Sequence, residues 1–236
     1  MKYALPLFVI CVLGAGQAEA VTLAPHRAIY DLSLLRAGDS GNLQSVNGRL
    51  AFELQGSSCE GYTVSFRMVA KYRPDEGAAT LIDTQSTTYE GPGSLEFRHQ
   101  VKELVNGDVK ENTKLKMSRP VLGQEGQGEV TSTESKTFTV AADALLPMQH
   151  QLKLMALGES GGGRDSSLIF DGSDGDTTFR AITFVGKTKL PGSIARDSQN
   201  PMAAGLKSLS AWPVTVSDFS PTKNQDTPDH HVRFNL

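Results

Sequence analysis

Cysteine is almost missing from this chain of 236 residues: there are two, Cys11 and Cys59. That excludes a disulfide-dense scaffold and a zinc site built from cysteines alone. Tryptophan occurs once, as Trp212. Basic charge is not in excess, because 23 Lys and Arg stand against 26 Asp and Glu, for a formal net charge of -3. A chain of that balance lacks the electrostatic footprint of a nucleic-acid or anionic-membrane binder. No apolar run is long enough to span a bilayer as a helix, so an integral membrane helix is not expected. H-E-x-x-H, C-x-x-C and the P-loop are absent as well. The expectation is a protein without metal or cofactor, and not an enzyme.

What is present begins with an export signal. Lys2 supplies a positive start, Leu5 to Ala15 form a short apolar stretch, and Ala18-Glu19-Ala20 reads as a cleavage site. Cleavage after Ala20 removes Cys11 and leaves Cys59 as the only thiol in an oxidising compartment. An odd cysteine there asks for a partner. Ile10 precedes Cys11 where a lipoprotein signal needs a small residue, and no twin arginine is present. The reading is a signal peptide over 1–20 and a periplasmic protein over 21–236.

Period-2 alternation dominates the mature chain. Tyr62, Val64, Phe66, Met68, Ala70 and Tyr72 face one way, while Thr63, Ser65, Arg67 and Lys71 face the other. Similar runs fall at Ala28 to Leu34, Leu50 to Gln55, Leu95 to Val101, Lys110 to Met117, Glu129 to Glu134, Thr137 to Val140, Ser167 to Phe170, Thr177 to Val185 and Ala211 to Phe219. Thr80 to Tyr89 is polar on both faces and reads as a wet or edge strand. Glycine (23) and proline (11) are spread between the runs as turns, and Asn106-Gly107 suits a tight hairpin. One segment, Asp143 to Gly158, is helical instead: Pro147 fits a first turn, Met148, Leu152, Met155 and Ala156 recur at helical spacing, and Gly158 is a natural stop. The fold class is all-β, mainly antiparallel, in a single domain with one amphipathic helix inserted around 146–158. Met148, Leu152 and Met155 are expected on the concave face of the sheet, as lining residues of a cavity.

Chemistry-bearing residues are scattered. His26, His99 and His150 lie far apart, and a Cys59–His nucleophile has no local support. Ser57 to Gly61 is instead a polar turn suited to stapling a loop. The Asp171 to Asp176 run fails calcium-loop spacing, with Ser173 and Gly175 at the third and fifth positions and Ile182 at the twelfth. His230 and His231 are adjacent on a strand and so point to opposite faces. Gly161-Gly162-Gly163-Arg164 follows a helix rather than opening one, which suits a linker and not an anion cradle. Arg27 and His26 stand at a strand start, either paired with carboxylates or solvated. Trp212 is expected to pack in the core or at an edge.

Five segments in order, Ala24 to Leu35, Ser58 to Met68, Leu145 to Gly158, Ile169 to Asp176 and Ala211 to Val216, resemble the EipB family of periplasmic cell-envelope integrity proteins. The resemblance spans nearly all of the mature chain. It implies a long antiparallel sheet curled into a spiral or broken barrel, with a mid-chain helix, and a role in envelope integrity without known catalysis. It is similar in general shape to periplasmic lipoprotein carriers, whose curved sheets enclose an apolar cavity. It also implies a disulfide from a cysteine matching Cys59 to one near the C-terminus. That second cysteine, and the family's last strands, have no counterpart after Val232 to Leu236. The expectation is a chain lacking them. A partner would be another envelope protein or an acyl, lipid-like ligand. The competing expectation is a hydrolase acting on envelope material, which needs a histidine beside a carboxylate or Ser in a cleft.

Overall fold

A computed structural model describes residues 22–37, 42–189, 208–220 and 226–236. The export signal, Cys11 and the cleavage site at Ala20 lie outside the described residues. Alternating sequence becomes an antiparallel meander: β1 (His26–Ser33), β2 (Leu43–Ser57), β3 (Gly61–Pro74), β4 (Thr80–Glu90), β5 (Glu96–Val105), β6 (Asp108–Ser118), β7 (Gly126–Thr131) and β8 (Ser135–Val140) pair in chain order. After the helix α1 (Pro147–Glu159), the strands β9 (Gly163–Ile169), β10 (Phe179–Val185), β11 (Pro213–Phe219) and β12 (His230–Asn235) form a second sheet in the order β12-β11-β10-β9. The sheets touch through a parallel bridge at Leu145 and Ile169, where Leu145 N–H donates to the Leu168 carbonyl at 2.9 Å and Phe170 N–H to the Leu145 carbonyl at 2.9 Å. No ladder joins β1 to β12 among the described residues, so the barrel-like wall stays open.

Register fixes which side chains face inward. Tyr62, Glu90, Phe97, Met117, Gly128 and Phe138 stand opposite one another in one cross-strand row. The next row is Leu54, Val64, Thr88, His99, Leu115 and Val130. These rows carry the core under β5 to β8, where Phe97, Leu115, Met117, Phe138 and Val140 pack with Leu146 and Phe170. Phe170 meets Phe97 edge-on at 5.5 Å between ring centroids. A fully buried phenylalanine is worth about 1.5–3 kcal/mol, so this ring locks the second sheet onto the first. At the β5–β6 turn Asn106 and Gly107 adopt φ of 53° and 92°, the double positive φ that such a hairpin requires.

Two sequence readings are corrected. β4 is not an edge strand, since it lies between β3 and β5. Its polarity has another cause: Thr84, Ser86 and Thr88 face the incompletely filled interior, and alternate residues such as Asp83 and Gln85 face outward. Nor does Gly158 end the helix. α1 runs to Glu159, and Gly158 is buried beneath Trp212, where an added Cβ would sit 2.5 Å from the indole Cδ2. Trp212 therefore packs flat on a helix that has no side chain at that point, and its Nε1–H donates to Thr188 Oγ1 at 3.0 Å.

Gly158→Ala tests this contact. Overpacking costs roughly 1–3 kcal/mol, against about 1 kcal/mol gained from alanine's better helix propensity. The expected outcome is a lower urea midpoint with an unchanged slope. A midpoint equal to or above wild type overturns the assignment.

Candidate functional site

α1 is wedged between the sheets, and two stripes of it are buried. Met148, Leu152 and Met155 pack on Leu23, Leu54 and Tyr62, with Phe52 and Val64 alongside. Leu154 and Leu157 pack on Val185 and Val214 of the second sheet. The N-cap residue is Leu146, whose hydrocarbon side chain cannot accept the first helical amides. Glu90 does so from the end of β4. Its Oε2 accepts from Met148 N–H at 2.8 Å, and its Oε1 accepts from Gln149 N–H at 3.2 Å and from Ser94 Oγ at 2.8 Å. Glu90 is 3% exposed, and burial raises its pKa above the usual carboxylate range despite these donors and the nearby Arg119. The positive end of the helix favours a carboxylate at this point.

A second polar cluster ties α1 to β9. Lys153 Nζ lies 2.6 Å from Asp165 Oδ1 and donates to Ser167 Oγ at 2.9 Å, while Ser167 Oγ donates to Asp165 Oδ2 at 2.6 Å. His150 Nε2 is 3.5 Å from the same oxygen. Burial pushes the Asp165 carboxyl up, but the bonds from Lys153 and Ser167 and the nearby charges outweigh it and hold it low. Histidine, serine and carboxylate thus do meet here. The serine proton is committed to the carboxylate, however, and the group serves as a tether between helix and sheet.

Between helix and sheets lies a cavity of about 380 Å³. Phe52, Val64, Met148, Leu154, Val216 and Phe234 supply apolar wall from β2, β3, α1, β11 and β12. Its polar positions include Thr88, His99, Asp171 and Asp218. His99 is 9% exposed, with Nδ1 2.9 Å from Thr88 Oγ1, and burial lowers its pKa. Thr88 cannot readily act as an activated nucleophile. Its strand is paired on both sides, so neighbouring amides serve the ladders and none is left over for an oxyanion hole. A wider trough of about 560 Å³ on the opposite face of β1 to β5 is lined by Arg27, Glu53, Arg67 and Lys102.

The structure separates the residues singled out from sequence. Met148 lines the cavity, whereas Leu152 and Met155 lie in the packing beside it. Cys59 is an exposed free thiol in the turn between β2 and β3. His26 stacks near Phe52 with centroids 5.4 Å apart, and Arg27 pairs with Glu53 at 2.8 Å. His231 Nδ1 lies 3.0 Å from Ser217 Oγ, while His230 stands opposite Asp218. Asp171 Oδ1 accepts from Ser173 N–H and Oγ at 2.9 and 2.7 Å, closing its own turn. Sequence reasoning missed Glu90, Asp218 and Phe234. Only Glu90 left a trace, in the helix start without a capping side chain.

An open, barrel-like antiparallel wall plugged by one helix, with a cavity beside the plug, defines a class of β-barrel-like proteins. The chain belongs to the EipB-like family, whose model matches residues 17–236. It is 31% identical over 229 residues to the cell envelope integrity protein EipB of Brucella abortus, covering 94% of this chain and 78% of that protein. It is also similar to the crystal structure of a β-barrel-like protein of a domain of unknown function from Brucella abortus. There the TM-score is 0.83 and the identity 28%, over 91% of this chain and 87% of that one.

Two stability measurements probe the site's frame. Glu90→Ala leaves two buried helical amides without an acceptor and is expected to cost roughly 2–4 kcal/mol in urea unfolding. A loss below that of an ordinary surface substitution contradicts the capping role. His99 and His150 are both held below the ordinary histidine range by burial. The unfolded chain therefore binds more protons than the folded one in that window, so stability falls as pH drops through it. The urea midpoint should decline from about pH 7 to about pH 5, less steeply in His150→Gln. A midpoint that does not decline over that window, or a slope unchanged in the variant, counts against it.

Proposed function

We propose that this protein is an exported, non-catalytic protein of the periplasm that supports envelope integrity by holding an acyl, lipid-like ligand in the cavity beside α1. The observation that carries this reading is the cavity itself. At about 380 Å³ it falls at the small end of ligand sites, which run from roughly 300 to 1,000 Å³. Its walls are mostly apolar, and each methylene moved there from water contributes about 0.8 kcal/mol. The envelope role rests on the family and on the name of the Brucella relative. No helix among the described residues is long and apolar enough to cross a membrane. In this reading 1–20 is the leader and 21–236 one β-rich domain.

A protein partner is the second reading. It is favoured by β1, an outer strand that leaves Ile29 62% and Tyr30 54% exposed. Such an edge can accept an added strand.

Val216→Trp separates the two readings, because it fills the cavity and leaves β1 untouched. Wild-type protein gently extracted from periplasm is expected to show a bound acyl compound by native mass spectrometry, and Val216→Trp to show none. In a strain lacking the gene, wild type should restore detergent resistance and the folded variant should not. Full rescue by the variant, with no lipid on either protein, refutes ligand binding and leaves the edge strand as the working surface.

A further inference from the structure

The cavity is not electrostatically neutral. Among the described residues neither Lys nor Arg lines it, while Asp171 and Asp218 do. It shares Asp171, Ser173, Phe179 and Asp218 with a second hollow of about 700 Å³, to whose lining Asp174, Asp229 and His230 also belong. This outer hollow also has no Lys or Arg in its wall among the described residues. An apolar chamber therefore adjoins an acidic vestibule along a wall that carries two carboxylates. Asp218 Oδ1 is buried and accepts no hydrogen bond among the described residues. A buried carboxylate oxygen without a donor is costly, and a ligand donor would relieve that cost. His99, nine-tenths buried in the same wall, uses only Nδ1 toward Thr88.

We propose that the occupant is an amphiphile with a positively charged, hydrogen-bond-donating head group, its chain against Phe52, Val64, Met148 and Phe234 and its head between Asp171 and Asp218. This rests on the ligand-binding reading above and specifies the ligand's chemistry. Charge complementarity decides it. An anionic head at this wall meets like charges with no Lys or Arg among the described lining residues to offset them, whereas an ammonium gains two carboxylates in a partly desolvated setting. Several basic groups among the described residues are paired elsewhere: Arg27 with Glu53, Arg67 with Asp83, Lys136 with Asp176 and Lys153 with Asp165. Among the described residues of the vestibule wall, His230 opposite Asp218 is the one basic side chain, and it is exposed.

The test is calorimetric titration of the whole mature protein with dodecylammonium, dodecanoate and dodecyl maltoside, each below its micelle concentration. Dodecylammonium is expected to bind about tenfold or more tighter than dodecanoate, the size of one partly buried ion pair. In Asp218→Asn that preference should shrink severalfold while dodecyl maltoside affinity is kept. Asp171→Asn provides the second variant should the first fail to fold. Equal or tighter binding of dodecanoate, or a preference unchanged in both variants, overturns the charge assignment and leaves the cavity reading standing. If no amphiphile binds, the cavity reading itself falls.

Discussion

The structure depends on one buried carboxylate placed at the start of one helix. Glu90 lies in the first sheet, in the row that runs from Tyr62 to Phe138, and holds the amides of Met148 and Gln149. The chain folds into two sheets, and neither alone has a partner for its inner face. α1 supplies that partner to both. Its position along the first sheet is set by Glu90, and its position on the second by Lys153 reaching Asp165 and Ser167. Without the carboxylate the helix would enter a buried site with unsatisfied donors and a leucine where a cap is needed.

Fixing the helix at one end of the sheet has a consequence for the interior. Apolar rows near Tyr62 and Phe97 are covered and fill completely. Further along, β4 contributes Thr88, Ser86 and Thr84 to this face in place of apolar side chains. The cavity sits at this boundary, where apolar residues from β2, β3, β11 and β12 run past the plug that would otherwise have filled the space. An open wall, one wedge and a graded inner face therefore produce a hollow with an apolar side and a polar side.

Much of this was readable in the sequence. The β3 alternation, the Asn106-Gly107 turn and the Pro147 helix start are local patterns whose cause lies within a few residues. The second buried stripe of α1 escaped notice because amphipathic reasoning looks for one apolar face, and Leu154 and Leu157 share their side of the helix with His150 and Lys153. Lys153 is paired with Asp165 of β9 and His150 is buried beside it, which periodicity cannot show. The β4 strand misled for a related reason: polarity on both faces marks an edge in a filled sheet, but here one face borders a cavity. Glu90 and Asp218 act across contacts far apart in sequence. Glu90 alone had a local counterpart, the missing cap at Leu146.

Charge placement gives the two faces of the first sheet different capacities. On the outer face Arg27, Arg67 and Lys116 each meet a carboxylate, and these exposed pairs contribute little to stability, about 0–1 kcal/mol apiece. The first two of these pairs offset Arg27 and Arg67 in that trough, where Lys102 remains as a further lining cation. Inside, Asp171 and Asp218 face the hollow without Lys or Arg in the lining. Burial there strengthens any interaction they make, because less water competes for them. A preference for a cation therefore belongs to the interior even though the outer trough is larger. An amphiphile held there as proposed would be selected by head group at the rim and by chain length along the wall.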